Sequence, residues 1–175
     1  MMRKKISSKK LAVLGVLLAA ASIAFMIESL VPPLITLAPY VKIGVANVFV
    51  LLVIVFYDFR EGLLFVLAKN IISALFSWSV FVFAFNIAGS LAAFFVMYFC
   101  YRLFGARISL VSVSIAGAVF SNIARTAVGV LLLDTQSLWV QLPIVCVFSI
   151  FAGILIGVLT TLCIKILPDK LTNMG

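Results

Sequence analysis

Glu28, Lys42, Asn47, Lys69, Asn86, Asn122 and Arg125 are the residues of this chain best suited to chemistry, and each sits in or beside a long apolar stretch. A charge at the centre of a bilayer costs about 2.5–3.5 kcal/mol on insertion scales, so such groups face a protein interior or a water-filled cavity. Arginine grips a carboxylate or phosphate through two parallel hydrogen bonds, and asparagine offers both donors and an acceptor. The set has more positive than negative charge. It points to recognition of a small polar, anionic ligand rather than to bond breaking.

Motifs for bond breaking are missing from the sequence. There is no histidine, which removes the commonest general base and metal ligand. No glycine-rich loop precedes a Lys-Ser/Thr pair, so the chain does not hydrolyse ATP by itself. The five acids are scattered, and none pair to hold magnesium against a diphosphate. Cys100, Cys146 and Cys163 lie in or beside apolar stretches. Their spacing fits no metal site, an odd number argues against a disulfide framework, and they read as packing residues. The expectation is no catalytic residue, no metal and no cofactor.

The elements that must position these residues follow from composition. Of 175 residues, 66% are hydrophobic and 10% charged. Soluble domains run near 45–50% and ~25%. A soluble fold of this size cannot hide so much apolar surface. Apolar runs of about 20 residues recur along the chain, as membrane-crossing helices require. The reading is an all-α, polytopic membrane protein forming one integral membrane domain over 1–175. Its six transmembrane helices are expected near 11–30, 40–57, 63–76, 80–101, 108–133 and 142–167. Prolines 32, 33 and 39 separate the first two, and the Ser77-Trp78-Ser79 stretch separates the third from the fourth. The first run is longer than a signal-peptide core and is read as uncleaved.

Charge orients the bundle. With both termini in the cytoplasm, the inner segments hold Arg3, Lys4, Lys5, Lys9, Lys10, Arg60, Arg102, Arg107, Lys165 and Lys170, ten of the thirteen basic residues. Lys42 alone falls in an outer loop, while Lys69 and Arg125 fall within helices. This positive-inside pattern accounts for most of the net charge of +8 and excludes a nucleic-acid footprint. The cell membrane, with several passes, is the expected location.

By depth, the buried polar residues lean toward the extracytoplasmic half. Asn122 and Arg125, three apart, share a helix face. Arg125 and Lys69 would neutralise ligand charge, Asn47, Asn86 and Asn122 would orient it, and Glu28 would hold one cation or meet a ligand amine. The structural alternative is that Glu28 pairs with Arg125 or Lys69 and the amides bond helices together. One carboxylate does not neutralise two cations, which favours a pocket. Small residues spaced four apart, including Gly15/Ala19, Ala20/Ala24, Ala88/Ala92 and Gly153/Gly157, allow close helix approach. The first helix, with Gly15, Ala19, Ala20 and Ala24, offers a smooth face for a partner membrane subunit.

The string Lys42-Ile-Gly-Val-Ala-Asn47 resembles the K-[LI]-G-x-A-N signature of the Gx transporter family, also labelled heptaprenyl diphosphate synthase component I. Ile27-Glu28-Ser29, Ala88-Gly89-Ser90 and Ala116-Gly117-Ala118 leading to Asn122 match it further, across about 9–165. The family is similar to the six-helix S components of energy-coupling-factor (ECF) transporters. That resemblance implies an S-component-like fold, an outward-facing site with Lys42, Gly44 and Asn47 at or near it, and docking through the first helix. The family's fifth-helix motif His-Asn-x-Gly-Gln reads here Ser121-Asn122-Ile123-Ala124-Arg125, a departure that leaves any role of Ser121 open and allows a changed charge preference. Expected partners are the bilayer, a small-molecule substrate, a transmembrane coupling subunit and ATPase subunits. An alternative is a membrane accessory protein of isoprenoid-quinone (heptaprenyl diphosphate) or flavin-linked electron transfer. A third is a purely structural assembly subunit.

Overall fold

The computed structural model describes residues 8–30, 44–77 and 79–166. Among them lie six α-helices and one 3-10 turn. In chain order the helices are α1 (Ser8–Leu30), α2 (Asn47–Phe56), α3 (Phe59–Ser77), α4 (Val80–Phe104), α5 (Leu110–Leu133) and α6 (Leu138–Ile166). Four of them, α1, α4, α5 and α6, are long and apolar enough to cross a membrane.

The second helix departs most from expectation. Read over 40–57, it begins only at Asn47 and spans ten residues, ~15 Å against a hydrocarbon core of ~30 Å. Residues 40–43 lie outside the described residues. Gly44 has a φ of +81°, a conformation without steric cost only for glycine, and the chain turns there before the helix starts. Seven of the ten α2 residues are buried, and the helix packs on α1, α3, α4 and α6. Being apolar all round, it is a core element.

The third helix starts earlier than read, at Phe59 instead of residue 63. The charged stretch 58–62, expected to be a turn, is largely its first turn: Glu61 Oε2 accepts from the backbone N–H of Asp58 at 3.2 Å, which satisfies a donor at the helix start. The sixth begins at Leu138, not near 142, and holds Pro143 inside its N-terminal part.

Helices α4, α5 and α6 make the most extensive contacts. Glycines set the α5–α6 approach: a Cβ at Gly153 would come 2.5 Å from Ile115 Cα, and one at Gly157 2.5 Å from Val111 Cα. The spacing read from the sequence therefore marks a real crossing. Gly153→Val is expected to lower stability by about 1–3 kcal/mol, since backbone cannot move aside. Gly15, with open space around it, serves as the comparison. Thermal melting in detergent reads both, and equal midpoints would contradict the packing.

The surface is unlike that of a water-soluble fold. Along α6, Val140, Ile144, Val147, Phe151, Ile154, Val158 and Leu162 form an exposed apolar stripe, while Ser149 and Thr160 are buried. An apolar exterior with its polar groups taken inside is what a lipid solvent selects.

Candidate functional site

The buried polar side chains gather between helices. Lys69 is 3% exposed and Arg125 7% exposed. Asn47, Asn70, Asn86, Ser90, Ser121, Asn122, Thr126 and Ser149 are also buried.

Lys69 of α3 is anchored across to α4. Its ammonium donates to Ser90 Oγ at 3.2 Å, the Ser90 hydroxyl donates to Asn70 Oδ1 at 3.2 Å, and Asn70 Nδ2 donates to the Val66 carbonyl at 2.9 Å. Two neutral groups thus fix the cation's position without cancelling its charge.

Arg125 of α5 lies across Gly89 of α4. A Cβ at Gly89 would run into the guanidinium and stand 2.9 Å from both Arg125 Cγ and Ser121 Oγ. The glycine makes room for the arginine. Asn86, three residues before Gly89, lies on the same face of α4 as the glycine.

Glu28, at the end of α1, accepts a hydrogen bond from the Gly44 N–H. Its carboxylate interacts electrostatically with both Lys69 and Arg125, and the two cations repel each other. Gly44 also accepts, through its carbonyl, from Asn47 N at 2.8 Å. The Gly-Val-Ala-Asn string is therefore a turn that brings the start of α2 against Glu28. Gly44→Ala is expected to cost about 1–2 kcal/mol for the left-handed backbone, with further crowding from Asn47 Nδ2 at 3.0 Å. A thermal midpoint unchanged by this substitution would contradict that role.

Asn122 is partly a structural residue. Its Nδ2 donates to Ser149 Oγ of α6 at 2.8 Å, the helix-bonding alternative in one contact. Its Oδ1, like Asn86 Nδ2, has no hydrogen-bond partner among the described residues. A buried amide atom left so costs about 1–3 kcal/mol unless a ligand or water meets it.

Of the residues expected at a site, the structure brings Glu28, Gly44, Asn47, Lys69 and Arg125 into one connected set. Asn86 and Asn122 border it through Gly89 and the Arg125 face. Lys42 lies outside the described residues. On α1, Gly15 and Ala19 are exposed and Ala20 and Ala24 half-buried. Sequence reasoning missed the supporting hydroxyls of Ser90 and Ser149 and the bed provided by Gly89. Ser90 and Gly89 had a signal in the quoted Ala-Gly-Ser string; Ser149 had none. No group of three or more His, Cys, Asp or Glu residues among the described residues could hold a metal ion.

An all-helical bundle with apolar spans and a charged interior defines a membrane-inserted protein with a polar cluster between its helices. The chain belongs to the family described as heptaprenyl diphosphate synthase component I, whose model matches residues 17–163. No curated protein and no solved structure matches it significantly.

Proposed function

We propose that this protein is a substrate-binding membrane subunit of the S-component kind, which captures a small polar anion from the extracytoplasmic side. The observation that carries the reading is the burial of two cations, Lys69 and Arg125, in one electrostatic field with a single carboxylate, Glu28. Charged groups placed within a membrane face a protein interior or a cavity and mark ligand pathways. A ligand bringing one negative charge neutralises the set, and the open atoms Asn86 Nδ2 and Asn122 Oδ1 offer it a donor and an acceptor. Helices α1, α4, α5 and α6 span the bilayer. On this reading α3 spans with them, with the short α2 and the segment before it completing a six-pass arrangement, both termini in the cytoplasm of the cell membrane.

The chain is not itself a catalyst on this reading, despite the synthase in the family's description: its acids are too few and too scattered to hold a diphosphate through magnesium. Uptake would be driven by separate coupling and ATPase subunits, with the exposed Gly15–Ala19 face of α1 as the docking surface.

Native mass spectrometry of the gently solubilised protein tests this. A bound small anion together with a co-purifying ATPase pair is the expected result. A bound flavin or quinone would overturn it in favour of electron transfer, and an empty chain within a complex would favour an assembly role.

A further inference from the structure

The opposite end of the bundle carries a polar cavity of about 190 Å³. Lys10 of α1, Tyr57 and Asp58 between α2 and α3, and Tyr101 and Arg102 near the end of α4 line it. Lys10 and Glu28 are ~27 Å apart along α1, so this cavity is separate from the cluster around Arg125.

Its cations lie beside aromatic and acidic side chains. Lys10 Nζ stands 5.9 Å from the centroid of the Tyr57 ring. Arg102 Nε donates to Tyr98 Oη at 3.2 Å, and its Nη2 lies 3.6 Å from Asp58 Oδ1. Lys10, Arg102 and Asp58 together give the lining one net positive charge. The last turn of α2, Ile54 to Phe56, closes the remaining side. Cations and phenols at helix ends match the headgroup layer of a membrane, where basic pockets between helices bind phosphate-bearing lipids.

We propose that this cavity seats the phosphate of an anionic lipid. Lys10 and Arg102 balance its charge and the tyrosine hydroxyls donate to its oxygens, while the acyl chains stay in the surrounding bilayer. The single net positive charge suits a monoanionic phosphodiester better than a phosphomonoester dianion.

The test uses the full chain in nanodiscs of phosphatidylcholine with phosphatidylglycerol, and native mass spectrometry of the lipids it retains on release. The wild type is expected to retain phosphatidylglycerol selectively. The Lys10→Gln/Arg102→Gln variant should lose roughly 30-fold of that retention, the weight of two cations at a membrane surface. Lys9→Gln, a charge change one residue outside the cavity, should retain it. Because Arg102 also meets Asp58, Lys10→Gln alone is the second variant, with a loss of roughly fivefold. Equal retention of the two lipids, retention unaffected by both the single and the double variant, or displacement by millimolar inorganic phosphate would each overturn the lipid assignment.

Discussion

Arg125→Gln is expected to abolish anion binding while leaving the bundle folded. Binding and stability separate here because of charge. Truncating one partner of a buried charge pair with a ligand costs about 2–5 kcal/mol, which is roughly 30- to 5,000-fold in affinity. Without ligand, the same guanidinium is a buried cation facing a second cation, Lys69, and sharing one carboxylate with it. Removing it leaves Lys69 and Glu28 balanced. Lys69→Gln is expected to behave alike, although it also takes the donor from Ser90. A structural role for these cations makes the opposite prediction, since breaking a buried pair that only supports the fold is strongly destabilising. Thermal melting beside ligand retention distinguishes the two: a lower midpoint with unchanged retention would assign both cations to the fold.

Gly89→Ala carries the second large effect, and it alters no charge. A single methyl at this position occupies space now filled by the Arg125 side chain and crowds Ser121 Oγ at 2.9 Å. Overpacking of this kind costs about 1–3 kcal/mol. Here the strain falls on the residue proposed to hold the anion, so ligand affinity should drop roughly 5- to 150-fold. Gly15→Ala, in open space, should leave binding as it is. Circular dichroism separates displacement of Arg125 from loss of helix. If Gly89→Ala bound the ligand as wild type does, the placement of Arg125 across α4 would be wrong.

What could be read from the sequence divides along physical lines. Arg125, Lys69 and Glu28 stood out because a charge in an apolar stretch is costly wherever the helix packs. Gly153 and Gly157 were legible as a close approach, though not which helix they meet. Ser90 and Ser149 were not legible as supports, since a serine hydroxyl can bond back to its own helix, as Ser149 does to the Val145 carbonyl at 2.6 Å, and so gives no sign of a second partner. Gly89 required knowing that α4 and α5 pair in this register. The shortness of α2 was hidden because the apolar run continues on both sides of Gly44, whose left-handed backbone places a turn before the helix starts at Asn47. The start of α3 was misplaced because Arg60 and Glu61 read as a charged loop, while Glu61 in fact meets the Asp58 N–H at the helix start.

The central claim is that the buried cations serve a ligand. The most direct measurement is native mass spectrometry of the wild type and the Lys69→Gln/Arg125→Gln variant, purified in parallel and checked for equal helix content. The account predicts a small anionic adduct on the wild type and none on the variant. The same adduct at the same occupancy on both would contradict it.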